Sequence, residues 1–442
     1  MPLYVRIAVR VCAVALGGAA LVAASAGAAV VPVSTAAQLI SAINNAAPGD
    51  VITLAPGIYD ISQNIFCSRP GTASQPIVVR AAALGQALIR FNAVEGFKVH
   101  TPYWTFENLD IQGVCLSHSS CEHAFHVAGE GDFTRIRNNR LHDYNAQIKG
   151  NGEGNPFVFP DDVLIEGNEL FNSTPRLTSN PVTPIDVVGG RRWVVRSNFI
   201  HDYAKGQGDQ ISYAAFLKGN SRDGVFERNL VICERDYVGG IRLGLSFGGG
   251  GSSGQSAICD GGTCIPEHQN GILRNNLIVN CPQDVGIYLN NASNTRIYNN
   301  TLYNTTGIDV RFAASTADLR NNVLSGAIRN RDGGTSTKAA NREGVTLAQF
   351  AAWFLNPAGA NFALLDGSQI VNLGQALALV TDDYCGKLRD SLPDLGAVEY
   401  NGAVCDTTKP APGTGDGPGN GPVIFTDGFE SGGMGQWVMG GP

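Results

Sequence analysis

The sequence predicts an all-β protein with the fold of a single-stranded parallel β-helix, in which successive coils of one chain stack on each other. Three observations lead to this fold: a short phrase that recurs along the chain, a composition that disfavours long helices, and a helix signal where the stack needs a cap. The 442 residues include 55 glycines, and only 16% are charged. Such a composition favours tight turns over long helices.

The recurring phrase reads as an apolar strand, an Asn and a second strand, as in WTFENLDIQG, VLIEGNELFNS and GVFERNLVICE. With the Asn as a register mark, the repeats fall at Asn108, Asn139, Asn168, Asn198, Asn229, Asn276, Asn300 and Asn322. Six of the seven steps are 22 to 31 residues long, and one is 47. Each step describes one coil, stacked at about 4.8 Å on the next. The recurring amides can then pair from coil to coil, which is a structural role.

The step of 47 residues contains a glycine-rich insertion, FGGGGSSGQSAICDGGTC, at 247–264. No GKS or GKT follows it and no helix pattern succeeds it, so it does not match a phosphate-binding loop. We expect a flexible loop that projects from the stack beside Arg242 and faces the substrate.

Both ends of the stack carry capping signals. The segment STAAQLISAINNAAPGD places its leucine and isoleucines on one helical face behind Ser34 and Thr35 as N-cap residues. This N-terminal helix would plug the first coil, and the strand VITLAPGIYDI follows it. Towards the other end, GVTLAQFAAWFL predicts a short helix packed across or beside the last coils.

The sequence divides into four segments. Residues 1–28 combine a basic start with an apolar run ending in Ala-Gly-Ala, which is typical of a secretory signal rather than of a membrane anchor. We expect the β-helix domain at 29–405, a Gly/Pro linker at 406–423 and a short C-terminal tail at 424–442. The tail resembles one found on exported proteins of Gram-negative bacteria. The sequence therefore predicts a protein secreted to the periplasm or the outside of such a bacterium.

Ten cysteines agree with an oxidising compartment, and nine of them follow the signal segment. No CxxC pair occurs, which disfavours a zinc site. The spacings suggest the pairs Cys115–Cys121, Cys259–Cys264 and Cys385–Cys405, with Cys233–Cys281 as a candidate pair between strands. Cys67 would remain unpaired.

Charge and hydropathy narrow the choice of partners. A net charge of −7 argues against a general nucleic-acid binder, which needs a basic face. No stretch beyond the signal segment approaches the roughly 20 apolar residues of a membrane span, so we expect no membrane insertion. We also expect a monomer. Residues 191–242 carry nine Lys or Arg against six Asp or Glu, which favours an anionic partner.

A second phrase, with one polar residue among apolar neighbours, lies about half a coil before each Asn. Because successive strand side chains point to opposite faces, the polar residue should point outward. These residues are His126, Asp186, Lys218, Arg242, Tyr288 and Asp309. Apart from Arg242, they precede the next Asn by 11 to 13 residues, so we expect the set to line neighbouring coils on one face. A solvated face is the alternative, but this mixture of charges suits proton transfer, since neighbouring charges shift pKa values.

Residues 214–244 resemble the active-site coils of polysaccharide lyase family 6, the group of chondroitinase B and alginate lyases. The resemblance rests on Lys218 in AAFLKGN and Arg242 in GIRLG, and in architecture it extends over roughly residues 34–330. It implies a right-handed parallel β-helix of the pectate-lyase-like superfamily. It also implies that Lys218 removes the proton alpha to a uronate carboxylate, while Arg242 on the next coil assists at the leaving oxygen.

We therefore expect an enzyme, a polysaccharide lyase that cleaves a uronate-containing anionic polysaccharide by β-elimination. Lys218 would act as the base, because burial or a neighbouring cation lowers the pKa of an amine. Arg242 would supply that cation and clamp a carboxylate. The expected substrate-binding residues are His126, Asp186, Tyr288, Asp309, Arg191 and Arg192.

Members of that family often hold calcium through carboxylates five and seven residues before the lysine, but here Tyr213 and Ile211 occupy these positions. We expect no cofactor; calcium bound at a shifted site would use Asp209.

Two other functions stay open. A glycoside hydrolase on the same fold would draw a carboxylate pair from Asp186, Asp209 and Asp309. A non-catalytic glycan-binding surface protein would need no such chemistry.

Overall fold

The computed structural model describes residues 29–252, 256–400 and 405–408, and in them the chain winds as a right-handed parallel β-helix. Each typical coil contributes one strand to each of three long sheets. The predicted fold class is therefore confirmed. The predicted signal segment 1–28 and tail 424–442, with most of the linker, lie outside the described residues.

Three parallel sheets form the walls of the solenoid. Sheet 1 consists of Val30–Val33, Val51–Leu54, Ile77–Ala81, Trp104–Glu107, Arg135–Arg137, Leu164–Glu166, Val194–Arg196, Val225–Glu227, Ile272–Arg274, Thr295–Tyr298, Thr316–Arg320 and Thr335–Ala339. Sheet 2 consists of Gly57–Ile61, Ala87–Phe91, Asp110–Gly113, Arg140–His142, Glu169–Phe171, Phe199–His201, Leu230–Ile232, Leu277–Cys281, Thr301–Thr305 and Val323–Leu324. Sheet 3 consists of Ile65–Cys67, Glu95–Val99, His123–Ala128, Ile148–Asn151, Ile185–Val188, Ile211–Lys218, Ile241–Phe247, Ile287–Asn290, Gly307–Arg311 and Ala327–Arg331.

The remaining elements are short. The α-helices are Ala36–Asn44 and Leu347–Trp353. The 3₁₀ helices are His118–Ser120, Ser256–Ile258, Asp260–Gly262 and Pro357–Gly359. A small parallel sheet joins Ser221–Arg222, His268–Gln269 and Ala292–Ser293, and an antiparallel hairpin joins Phe354–Asn356 to Asn361–Leu364.

The core lies inside the solenoid, where alternate strand residues stack on their counterparts in the next coil. In sheet 1 one such column contains Ile136, Ile165, Val195, Phe226 and Leu273, all of them fully buried. Burying a side chain of this kind contributes roughly 1.5–3 kcal/mol. The apolar alternation in the sequence therefore sets which face of each strand points inward.

The predicted Asn ladder is present and runs through the stack between sheets 1 and 2. From Asn139 onward each Nδ2 donates to the Oδ1 of the next Asn at 2.9–3.1 Å, through Asn322 to Asn341. Asn341 extends the ladder beyond the prediction. Assigning Asn108 to it is wrong, because the Oδ1 of Asn139 accepts the backbone N–H of Leu109, while Asn108 occupies a left-handed turn with φ of 60°.

The capping helices form as predicted. The hydroxyl of Thr35 accepts the backbone N–H of Gln38, and the helix buries Leu39 and Ile43. The single strand predicted after this helix is two strands that belong to different sheets. The second helix, Leu347–Trp353, packs with the segment after it against the outer side of the last coils of sheet 2.

All four suggested disulfide pairs are bonded, and Cys67 is free and buried. Four disulfides are typical of a protein that functions in an oxidising compartment. Among the described residues, no helix combines the length and the apolar character needed to cross a bilayer.

Candidate functional site

A column of outward side chains crosses sheet 3 and includes many of the polar residues on its outer face. Strand pairing gives its members in order as Lys98, His126, Lys149, Asp186, Phe216, Ser246, Tyr288, Asp309 and Arg329. Four residues predicted to share a face, His126, Asp186, Tyr288 and Asp309, belong to it. The strands position them because neighbouring strands of a sheet lie about 4.8 Å apart.

Lys218 lies on the same face but two residues further along its strand, where it pairs with Val188 instead of Asp186. A step of two residues preserves the face of a strand. The predicted face of Lys218 is therefore correct, whereas the predicted register is wrong by two residues. Lys218 Nζ lies 4.4 Å from the centre of the Phe216 ring and donates a hydrogen bond to the carbonyl oxygen of Gly250 at 3.1 Å.

Arg242 does not lie beside Lys218, and the prediction that placed the two side chains together is wrong. It pairs with Ser212, six residues before Lys218, which corresponds to about 20 Å along an extended strand. Arg242 is 1% exposed, and its guanidinium donates to backbone carbonyls of the loop 233–239. The strand Ile241–Phe247 begins opposite the start of the neighbouring strand Ile211–Lys218. Arg242 therefore lies at the start of its strand and holds the preceding loop in place.

Lys149 is a member of the site that the sequence analysis missed. Its Nζ lies 2.8 Å from Oδ1 of Asp186 on the next strand. Lys149 is followed by Gly150 instead of an aliphatic residue, because a Cβ there would lie 2.5 Å from the ring of Trp193. The hairpin after its strand also moves Lys149 to 19 residues before Asn168, so neither the apolar phrase nor the spacing identified it.

Burial and charge set the protonation of the central groups. Burial lowers the pKa of Lys218; the carboxylate of Asp186 opposes this effect, and the cation of Lys149 adds to it. Burial alone would raise the pKa of Asp186, but the two lysines outweigh it and hold that pKa below its usual value. The arrangement thus combines one amine that loses its proton more easily with a carboxylate that stays ionised to lower pH than usual.

The first strands of the face carry three further polar contacts. His126 Nδ1 lies 2.7 Å from Oε1 of Glu95, and Nε2 lies 2.5 Å from Oδ1 of Asn151. Lys98 Nζ bonds Oε1 of Glu153 at 2.7 Å. Burial would raise the pKa of Glu95, but the hydrogen bond and charge of His126 outweigh it, so the net pKa of Glu95 is lowered. This end of the face is polar without excess negative charge.

Tyr288 and Asp309 lie at the opposite end of the column. The hydroxyl of Tyr288 accepts a hydrogen bond from Arg311 Nη1 at 3.2 Å. Asp309 is 1% exposed and lies beneath Arg329 and Arg331, with which it forms ion pairs. Asp309 therefore orients arginines and does not itself reach solvent.

Arg191 and Arg192 lie in the turn after the strand Ile185–Val188, outside the column. Arg192 forms ion pairs with Asp161 and Asp162, and Arg191 Nε lies 3.3 Å from a carboxylate oxygen of Asp260. Both cations are thus engaged in holding loops at the edge of sheet 3.

Asp209, the candidate ligand for a shifted calcium site, is engaged in an ion pair with Lys205 at 2.7 Å. In the described parts of the chain, one group of three potential ligands converges within 4.8 Å, and it consists of His201, Asp202 and Asp236 next to sheet 2. Calcium prefers six to eight oxygen ligands, and Asp209, already paired with Lys205, is a poor match to that requirement.

The glycine-rich insertion lies beside Lys218, and the prediction that it projects beside Arg242 is wrong. Gly250 accepts the hydrogen bond of Lys218, and a Cβ on Gly249 would lie 3.1 Å from the ring of Phe216. The carboxylate of Glu267 anchors the insertion by accepting from the backbone N–H of Gly219 and the hydroxyl of Ser252. The described part of the insertion thus forms one wall of the Lys218 site.

The outer face of sheet 2 carries a separate hollow of about 440 Å³. His142, Phe171 and His201 stack in it with ring centres 5.1 and 4.9 Å apart. Burial alone would lower the pKa of His142, but its hydrogen bonds to Asp110 and Asp143 outweigh burial and raise the pKa to about 9. This cationic ring is therefore part of a buried ion network.

Comparison with known proteins places the fold. Residues 123–325 match the family model described as right handed beta helix region, and no curated protein matches the chain. The chain is similar to the solved structure of pectate lyase Pel9A, with 16% identity over 85% of this chain and 97% of that one, and a TM-score of 0.56.

Two further structures show weaker similarity. An alginate lyase from Paenibacillus sp. str. FPU-7 has 17% identity over 71% of this chain and 99% of its own, with a TM-score of 0.40. A mannuronic acid specific polysaccharide family 6 lyase from human gut microbiota has 14% identity, coverage of 72% and 82%, and a TM-score of 0.38. The chain is a right-handed parallel β-helix protein.

Proposed function

We propose that the protein is an exported polysaccharide lyase that cleaves a uronate-containing polysaccharide by β-elimination on the outer face of sheet 3. One observation carries the proposal: the half-buried amine of Lys218 lies beside the Lys149–Asp186 ion pair on an open face of a β-helix. The fold it shares with a pectate lyase supports the reaction class. The four disulfides support export.

Lys218 is the proposed base. A lysine accepts a proton near neutral pH only when its pKa is depressed, and burial has that effect on Lys218. The Phe216 ring and the carbonyl of Gly250 hold the amine in place without a carboxylate partner that would keep it protonated through a direct hydrogen bond. These contacts position the amine for the proposed role.

Lys149 is the proposed ligand of the uronate carboxylate. An ammonium group has three donors, and the contact with Asp186 engages one of them. As Lys218 takes the proton from the carbon alpha to the carboxylate, the electron pair of that C–H bond moves toward the carboxylate, where the charge of Lys149 stabilises it. The pair then forms a carbon–carbon double bond, the glycosidic C–O bond breaks, and the leaving oxygen takes a proton from solvent.

A hydrolase that uses Asp186 and Asp309 as its carboxylate pair is disfavoured by distance. Asp186 and Asp309 lie in one column but four strands apart, which is about 19 Å, whereas paired hydrolase carboxylates lie about 5 to 9.5 Å apart. Asp309 is also covered by arginines.

The test is product analysis on a panel of uronate polysaccharides, including alginate and polygalacturonate. We expect ultraviolet-absorbing unsaturated products from the wild type and from Lys338→Ala, a control lysine on sheet 1, but none from Lys218→Ala. New reducing ends without the absorbance would indicate a hydrolase, and no product with retained binding would indicate a glycan-binding protein. Equal activity of Lys218→Ala and wild type would refute the role of Lys218.

A further inference from the structure

Three arginines converge on the last two strands of sheet 3, at the end of the outer face away from Lys98. They are Arg311, Arg329 and Arg331, and together they form what we name the arginine cluster. The proposed elimination does not use them. Their side chains are between one third and one half exposed, so they meet solvent on the face that carries Lys218.

The buried carboxylate of Asp309 holds two of the three arginines in place. Asp309 accepts from Arg329 Nε at 2.6 Å through one oxygen and from Arg331 Nη1 through the other. Arg311 donates to the hydroxyl of Tyr288 and pairs with Asp332. Because a guanidinium has five N–H donors, these contacts leave donors on each arginine for another acceptor.

The cluster offers an anion unused guanidinium donors. Three arginines pair with two carboxylates, Asp309 and Asp332, and Asp284 adds a further negative charge near Arg329 and Arg331. A single pair of surface charges would be an ordinary ion pair. Here one fully buried carboxylate fixes two cations at once, and a planar guanidinium fixed in this way suits bidentate recognition of a carboxylate.

The register links the cluster to Lys218. The strand of Arg311 lies three steps from the strand of Lys218, and that of Arg331 lies four steps away, or about 14 and 19 Å. The rings of Phe216 and Tyr288 belong to the adjacent row of these strands, and Tyr213 contacts both at centre distances of 5.5 and 6.4 Å. Phe216 and Tyr288 are only 4% and 6% exposed, so they support this part of the face from beneath.

We propose that the arginine cluster binds an acidic group of the polysaccharide several sugar residues from the bond that is cleaved. The inference rests on the proposed function and adds to it a requirement for chain length. A chain that spans from Lys218 to the cluster gains binding energy at both ends. A short oligosaccharide reaches only one of them, so the cluster makes the protein prefer long polyanionic chains.

The experiment compares Arg331→Gln and Arg311→Gln with the matched control Arg320→Gln. Arg320 also pairs with an aspartate and is 38% exposed, but it lies on sheet 1. Arg311 is included because its partner Asp332 is 47% exposed, so its loss leaves no buried charge unpaired. Affinity electrophoresis in gels containing alginate or polygalacturonate measures binding without turnover, and kcat/KM is measured on the polymer and on purified trisaccharides of the polymer that the wild type cleaves.

We expect both cluster variants to bind the retarding polymer about tenfold more weakly than wild type, and the control to bind like wild type. We expect kcat/KM to fall on the polymer and not on the trisaccharides. Binding equal to wild type in both cluster variants, absence of wild-type binding to any polyuronate, or an equal loss on trisaccharide and polymer would overturn the inference. Failure of the proposed function is distinct, since it appears as polymer binding without unsaturated product.

Discussion

Replacing Arg242 by alanine separates a structural role from a catalytic one. The guanidinium donates to the carbonyl oxygens of Gly239 at 2.9 Å, Tyr237 at 3.1 Å and Cys233, and it lies 3.9 Å from Asp202. Each buried acceptor left without a donor costs about 1–3 kcal/mol, and breaking a buried ion pair costs about 3–5 kcal/mol. Because these terms overlap, we expect the free energy of unfolding to fall by about 4–6 kcal/mol.

Urea unfolding followed by far-ultraviolet circular dichroism measures this loss. Arg235→Ala in the same loop is the control, since its side chain is 43% exposed and we expect a change below about 1 kcal/mol. The turnover of the folded fraction of Arg242→Ala should stay within a few fold of wild type, because the residue lies far from Lys218 along the strand. Unchanged stability together with a loss of activity of about a hundredfold or more would show that Arg242 acts in catalysis and would refute this reasoning.

Two other predictions concern stability. The raised pKa of His142 contributes stability that is fully present below the unfolded value near 6.5 and is lost as the pH rises through about 9, so His142→Gln should lose about 3 kcal/mol at pH 6 and much less at pH 10. Unfolding in urea at both values checks this, and an equal loss at both would contradict it. Asn198→Ala removes the partner of Asn168, Asn229 and the carbonyl of Ile165, so its melting temperature should fall by several degrees more than that of a variant at the exposed Asn45. An equal fall in both would contradict a stabilising ladder.

The solenoid was predictable from the sequence because each repeat contains an Asn and a pattern of alternating apolar residues. A buried Asn at one position per coil finds hydrogen-bond partners in the neighbouring coils, and apolar alternation assigns each strand an inner and an outer face. This is why the Asn ladder from Asn139 and the outward direction of Lys218 were predictable. Asn108 was misassigned because an Asn is also favoured at the neighbouring left-handed position, where it has φ of 60°.

The alignment of residues across sheet 3 was harder to predict. The turns between sheets differ in length from coil to coil. A register shift of two residues leaves the inner and outer faces of a strand unchanged, so the apolar pattern did not reveal that Lys218 pairs with Val188 instead of Asp186. The insertion removed the spacing that would have tested Arg242. Lys149 was missed because the next residue is Gly150, which leaves room for the ring of Trp193, instead of an aliphatic residue. This contact joins residues 43 positions apart, so no local pattern contains it.

The central claim is that the amine of Lys218 removes a proton, and Lys218→Arg tests it most directly. Arginine retains a positive charge that can lie over Phe216 and reach the carbonyl of Gly250, but it does not lose its proton in proteins. We predict that Lys218→Arg binds the polymer with an affinity close to wild type, by calorimetry, while ultraviolet absorbance from unsaturated product falls by a factor of about 10² to 10⁴. Product formation at the wild-type rate by Lys218→Arg would contradict the account.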